Sequence, residues 1–333
     1  MLLTMLFFLS ILLTGLVRYY ALSRQVLDIP NNRSSHTIPT PRGGGVAFVV
    51  VFLVYFFYLG ISGAISIWEA LCIAASGILV AGLGFVDDHR PISAKLRLVG
   101  HFVACGFVLF CMGGMKPLIP IEWHIASIEL LFNLFALFYL VWLLNLYNFM
   151  DGIDGLAAVE AITVCLGAGL IYFLQGHEAM MTLPLVLAVV VAGFLVWNFP
   201  IARIFMGDVG SGFLGLLIGV LSIQAANVQS EFFWSWLILL GVFIVDATVT
   251  LLRRVYHGSP IAEAHRQHAY QRAVDVFHSH IKVTVGVLVI NLIWLLPLAV
   301  LVGNGHLNGL LGLLIAYLPL IVLVYSIKFN DAL

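Results

Sequence analysis

Charge is what this sequence has least of. Asp, Glu, Lys and Arg together make up 9% of it, against 62% apolar residues, and the mean hydropathy is +1.10. A water-soluble fold cannot clothe its surface with so few charges. The solvent must be lipid, which offers no hydrogen bonds, so the backbone has to satisfy itself as helices or as a closed barrel. Apolar runs of about 20 residues, without the alternation of barrel strands, choose helices. Cysteine is scarce too. Cys72, Cys105, Cys111 and Cys165 all lie inside apolar runs without metal-ligand spacing, so they read as packing residues, forming no disulfide and no zinc site. No base precedes Arg18 and no small-residue cleavage site follows, so residues 1–17 read as a retained first span.

The runs predict an all-α, polytopic membrane protein of about eleven spans, with ten also compatible, forming a single domain over 1–333 with no separate soluble part. The expected spans are 1–20, 43–60, 67–86, 96–113, 129–147, 153–174, 181–198, 209–228, 232–252, 283–302 and 307–327. With this count, fourteen of the fifteen Lys and Arg residues fall on one side and only Lys116 on the other. The positive-inside rule makes that side the cytoplasm, putting the N-terminus outside and the C-terminus inside. Trp68, Trp123 and Trp234 fall at outer span ends, as interfacial anchors.

The stretch from Asn145 to Gly155 stands out from the apolar background. Asn145, Asn148, Asp151 and Asp154 recur every third residue, which keeps neighbouring members near one helical face. Two amides and two carboxylates are oxygen donors that suit a hard cation such as Mg²⁺ carrying phosphates. A polar turn capped by Asp154 would be the plainer use of such residues, but a turn needs one or two of them. Other polar clusters fall on the same face. Ser34 to Gly45 combines hydroxyls, His36, Arg42 and three glycines, either gathering N–H groups around an anion or forming a Pro-stiffened loop. Asp87-Asp88 precede Lys95 and Arg97, which could neutralise them. Asp208 sits between glycines at a helix mouth, as an N-cap or as an acid for chemistry. His265, Arg266 and His268 offer bases near these acids. Asp246 and Glu160, inside spans, read as supporting acids that pair with the loop bases.

In their order, the Gly pair after the Pro-rich loop, Asp87-Asp88, Asn145-x-x-Asn148-x-x-Asp151-Gly152-x-Asp154-Gly155, Phe205-Met206-Gly207-Asp208-x-Gly210-Ser211 and the His-containing loop resemble the polyprenyl-phosphate N-acetylhexosamine-1-phosphate transferases. The resemblance covers residues from about 34 to 270. It implies that a polyprenyl phosphate oxygen attacks the sugar-linked phosphate of a UDP-sugar, releasing UMP. It also implies Mg²⁺, replaceable by Mn²⁺, held by Asn148, Asp151 and Asp208, and a substrate pocket including Gly152, Asp154, Asn198 and Phe205, to which the donor chemistry of Asn145 and Arg266 adds those two. Asp87, Asp88, Lys95, Asp151, His265 and His268 are the expected catalytic set. The segment His265-Arg266-Gln267-His268-Ala269-Tyr270 lacks the three consecutive histidines of the phospho-muramoyl-pentapeptide enzymes and is similar to enzymes that start O-antigen. The implied partners are a UDP-N-acetylhexosamine (the N-acetylfucosamine, N-acetylquinovosamine or N-acetylglucosamine form), undecaprenyl phosphate and the bilayer of a bacterial inner membrane. A homodimer is allowed and no nucleic acid is expected.

Two other classes fit less well. An intramembrane aspartyl protease needs its acids inside spans, whereas these sit at span mouths. A transporter needs acids at the midplane, which only Asp246 and Glu160 approach.

Overall fold

The computed structural model describes residues 1–30, 35–90, 92–118, 126–259 and 266–327. Among the described residues the fold is all-α apart from one two-residue ladder. Helices α1 (Leu2–Ser23), α2 (Gly45–Ile61), α3 (Ile67–His89), α4 (Ala94–Cys111), α5 (Ala126–Met150), α6 (Leu156–Leu174), α7 (Glu178–Asn198) and α8 (Asp208–Val228) come first in the chain. They are followed by α9 (Ser230–Leu239), α10 (Gly241–Tyr256) and the short α11 (Ala269–Phe277). Then α12 (His280–Ile290) passes through a π-helical turn at Asn291–Leu295 into α13 (Leu296–Gly303), and α14 (Gly309–Ser326) ends the bundle. Among the described residues nine helical stretches are long and apolar enough to cross a membrane, and ten if the bent pair α9–α10 is one span. Helix α2 is apolar as well, at 17 residues.

Helix α8 is the axis of the bundle, almost wholly enclosed and packed between α3 and α5. The outer helices α1 and α14 turn Leu, Phe, Met and Tyr side chains outward, the surface expected to meet lipid. The crossing of α3 and α8 is closest at Gly84, where a Cβ would stand 2.4 Å from the Asp208 carbonyl carbon. No residue with a side chain fits there, so the start of α8 is pressed against the end of α3.

The run expected as a single span at 232–252 is broken by 70° between α9 and α10. Helix α10 therefore starts inside the protein, and the Glu160 carboxylate of α6 lies near Phe243 at that start. Asn291, at the π-helical turn, donates to Glu160 at 2.7 Å and to Thr163 at 2.8 Å. Glu160 thus engages a helix start and an amide rather than the expected loop bases. The four cysteines are free thiols.

The ladder pairs β1 (Leu27–Asp28) with β2 (Thr40–Pro41), antiparallel, with Leu27 opposite Pro41. Beyond it the backbone of the α1–α2 connection joins the α7–α8 connection. Phe205 N–H donates to Pro41 O at 2.8 Å, and Gly44 and Gly45 N–H donate to Phe205 and Met206 carbonyls, both at 2.9 Å. The Gly44 and Gly45 N–H groups are spent on the fold, as the Pro-stiffened-loop alternative requires.

Candidate active site

The helix ends that carry the acids meet at one end of the bundle. Asp87 closes α3 and accepts from Ile92 N–H at 2.8 Å. Arg97, on the first turn of α4, bridges two acids with one nitrogen, 2.6 Å from Asp87 and 3.0 Å from Asp208. Lys95, expected in the catalytic set, is exposed instead, and these ion pairs belong to Arg97.

Asp88 faces the other way. Its two carboxylate oxygens take the N–H groups of Asp208 at 3.2 Å and Val209 at 3.5 Å. Arg42 stands 3.8 Å from the same carboxylate and also donates to the Asp88 carbonyl. The acid capping α8 is therefore Asp88, reaching across from α3, and not Asp208, which is left to point into the cleft. Residues 120 positions apart make this cap, which no local pattern reveals.

Asn148, near the end of α5, donates to Ser211 Oγ at 3.2 Å and lies beside the Asp208 carboxylate. Asp151 lies just beyond α5. Burial, with the charges of Asp208 and Asp88 nearby, holds its carboxyl well above the ordinary carboxylate range. Among the described residues no base or N–H group stands against it. The expected metal trio Asn148, Asp151 and Asp208 is thus gathered into one negative pocket. Among the described residues no three His, Cys, Asp or Glu side chains close on a single point at ligating distance. A strongly hydrated Mg²⁺ needs only one or two carboxylates, with water and phosphate filling the rest, so this donor set fits it.

Asp154 and Asn198 serve the fold around the pocket. Asn198 accepts from Gly155 N–H at 2.9 Å and donates to Ile204 O at 3.0 Å. Asp154 accepts from Ala202 N–H at 3.1 Å, and its other oxygen lies 3.2 Å from His280 Nδ1. Both therefore fasten the loop that carries Phe205 and Asp208. The Phe205 ring meets the edge of His36 at 4.8 Å between centroids. Asn145, expected to touch substrate, donates instead to Val141 O of its own helix at 2.7 Å and lies beside the buried His101.

The α10–α11 connection folds back onto this region. Asp246 takes the first N–H groups of α11, from Ala269 at 2.8 Å and Tyr270 at 2.9 Å, with His268 Nδ1 at 3.4 Å. His268 is buried there as the N-cap residue of α11, its ring 6.2 Å from that of Phe149. Tyr270, its phenol kept neutral by burial and the charges of Asp246 and Asp151, donates to Phe149 O at 3.0 Å. Its hydroxyl lies 2.1 Å from where a Gly152 Cβ would be, so a side chain at 152 would have to displace Tyr270. Arg266 is engaged by Asp275 at 2.6 Å. Arg272 donates to Ile327 O at 2.6 Å and so closes the end of α14. His265 lies outside the described residues.

His101 and His280 escape the sequence reading. His101 follows Arg97 by one helical turn, a spacing that shares its face. His280 follows Ser279, whose hydroxyl caps α12 by accepting from Lys282 N–H at 3.3 Å. That cap marks His280 as the first residue of a helix facing the loops.

Residues 70–226, which include every carboxylate of the pocket, match the family model described as glycosyl transferase family 4. A phospho-N-acetylmuramoyl-pentapeptide-transferase of Moorella thermoacetica is 31% identical over 245 residues, 67% of this chain and 74% of the relative. The chain belongs to this family. A decaprenyl-phosphate N-acetylglucosaminephosphotransferase of Mycolicibacterium smegmatis is 28% identical over 307 residues, 80% of this chain and 73% of the relative. A probable undecaprenyl-phosphate N-acetylglucosaminyl 1-phosphate transferase of Bacillus subtilis is 27% identical over 293 residues, 85% and 78% of the two chains. The family member described here is a multi-pass membrane enzyme that transfers a sugar phosphate to a polyprenyl phosphate.

Proposed function

We propose that the enzyme transfers N-acetylhexosamine 1-phosphate from a UDP-N-acetylhexosamine to undecaprenyl phosphate on the cytoplasmic face of a bacterial inner membrane. Its N-terminus then lies in the periplasm and its C-terminus in the cytoplasm. The observation that carries this reading is the negative pocket of Asp88, Asp151 and Asp208, with Asp151 unpartnered among the described residues. Such a pocket takes polyanions only together with a cation. Asn148, Asp151 and Asp208 would hold Mg²⁺, which supplies neutralising charge to the diphosphate when bound.

The chain's own residues do the rest. The polyprenyl phosphate oxygen forms a bond to the sugar-linked phosphorus, and the bond from that phosphorus to the bridging oxygen breaks, releasing UMP. A phosphate monoester has its second pKa near 6, so the nucleophile is already mostly dianionic and needs little help from a base. The difficulty is bringing two anions together, and here that is a matter of position and charge. Arg97 fixes Asp208 relative to Asp87, while Asn198 and Asp154 fix the loop of Phe205.

That the lipid-linked sugar begins an O-antigen rests on residues 265–270 alone. The test is UMP release by purified protein with undecaprenyl phosphate and a panel of UDP-sugars. UDP-N-acetylglucosamine, UDP-N-acetylquinovosamine or UDP-N-acetylfucosamine should support turnover. Turnover only with the UDP-muramoyl-pentapeptide would overturn both the donor and the polymer.

A further inference from the structure

His280, the first residue of α12, stands where three parts of the pocket meet. Its Nδ1 lies 3.2 Å from an Asp154 carboxylate oxygen, and its Nε2 lies 3.1 Å from the Ser35 carbonyl oxygen in the α1–α2 connection. The His280 and Asp154 side chains are 17% and 14% exposed, so little water competes for either. Nδ1 also accepts from the Asp154 N–H at 3.5 Å, so either the imidazolium or the tautomer protonated at Nε2 bridges Asp154 to Ser35. Arg266 also faces the ring, with its own guanidinium held by Asp275. One turn along α12, Thr284 Oγ1 donates to the Asp154 carbonyl at 2.8 Å and fixes the helix in register with the acid.

The contact reaches further than one pair. Asp154 holds Ala202 N–H with its second oxygen, and so secures the loop of Phe205. Ser35 precedes His36, whose ring meets Phe205. A chain of contacts thus closes on itself through Ser35, His36, Phe205, Ala202, Asp154 and His280. It is a ring of loops drawn from the α1–α2, α5–α6 and α7–α8 connections, with α12 as its fourth side.

We propose that His280 is a positioning residue that holds the α1–α2 connection shut against the Asp154 and Phe205 side of the pocket, and thereby sets the affinity for the nucleotide sugar. This rests on the donor assignment above, and the test separates the two.

In the full-length enzyme in detergent, initial rates would be taken across UDP-N-acetylglucosamine concentrations at saturating undecaprenyl phosphate. The variants are His280→Ala, which removes both ends of the bridge, His280→Asn, which places an amide N–H near Nδ1, and His280→Gln, which places one near Nε2. Each should raise KM by about tenfold, the loss expected of one charge-assisted hydrogen bond, and change kcat by less than about threefold. With Asp154→Asn already present, His280→Ala should add less than about twofold, because its partner's charge is gone. Wild-type KM in either single-ended variant would make the ring a mere filler and overturn the proposal, as would a fall in kcat at unchanged KM.

A second measurement needs no turnover. Trypsin cleavage at Arg42, in the substrate-free protein, should be faster in all three His280 variants than in wild type or in Thr284→Val, which lacks only the helix-side bond. Equal cleavage rates in wild type and the His280 variants would sink the idea. So would equally fast cleavage in Thr284→Val, since it would mean general loosening. If the wild-type protein releases no UMP from any donor, the functional reading falls while the trypsin comparison still decides the role of His280.

Discussion

Asp88 and Asp208 lie in one pocket, yet the geometry gives them opposite jobs, and two substitutions should separate them. Asp208→Asn keeps shape and removes charge. It weakens one arm of the Arg97 bridge, a pair whose side chains are 26% and 29% exposed, which is worth at most about 1 kcal/mol. It also removes an acid from the first turn of α8, worth roughly 0.3–1 kcal/mol. Relief of repulsion with Asp151 offsets part of both. Thermal unfolding should therefore shift by no more than about 4 °C. Turnover, by contrast, should fall by about a thousandfold, the scale of losing a principal electrostatic contact to the reacting phosphates. Asp88→Ala leaves the N–H groups of Asp208 and Val209 without their acceptor at a buried helix start. Each such group costs about 1–3 kcal/mol, so the melting temperature should drop by roughly 5–10 °C. The assay pairs UMP release with thermal unfolding in detergent. If Asp208→Asn melts as low as Asp88→Ala, or keeps near-normal turnover at limiting Mg²⁺, the division of labour is wrong.

Three further outcomes are expected. The Asp151 carboxyl is held above its unfolded value, so folding binds an extra proton, and stability is lost as pH rises from the ordinary carboxylate range through the raised value. Asp151→Asn should therefore melt higher than wild type at neutral pH in chelator, and Mg²⁺ should raise the wild-type melting temperature more than the variant's; equal shifts would argue against a cation at Asp151. Asp246→Asn keeps an acceptor for the start of α11 but loses the charge facing His268, so turnover should fall by about tenfold, far less than in Asp208→Asn. For topology, Leu118→Cys should be labelled by an impermeant thiol reagent from outside and Gln267→Cys only from inside, and labelling of both from one side would overturn the span count.

The spans were legible because lipid leaves a chain few options. A 20-residue apolar run can satisfy its backbone only as a helix, and the bases between runs mark one side. The acids were legible for the same reason, since charge at a span mouth is rare and stands out. Their partners were not. Arg97 and Lys95 are equally basic two residues apart, and only the turn of α4 decides that one enters the pocket and the other faces out. The 70° break at Leu240 carries no proline and leaves the apolar run unbroken. Beside the freed helix start stands a long-range group, Glu160, from α6. Asp154 was expected to touch substrate through the family resemblance, and it shares its three-residue spacing with Asp151. The turn after Met150 separates the two, putting Asp151 among the acids and Asp154 among the loops.

That separation explains why a periodic polar stripe can serve two ends. The α5 helix stops at Met150, so the stripe does not continue as one helical face but is split by the turn through Gly152. Asn148, still helical, points at α8 and Asp208. Asp154, past the turn, points at α12 and the α7–α8 loop. The Tyr270 hydroxyl comes so close to Gly152 that a side chain there would displace it, and its bond to Phe149 O ties α11 to the same turn. A helix running on unbroken would have carried Asp154 back toward the other carboxylates, adding a further like charge to a pocket in which Asp151 already resists ionisation. Breaking the helix there limits the negative charge in the pocket and frees the last acid of the stripe to bind the loops that enclose it.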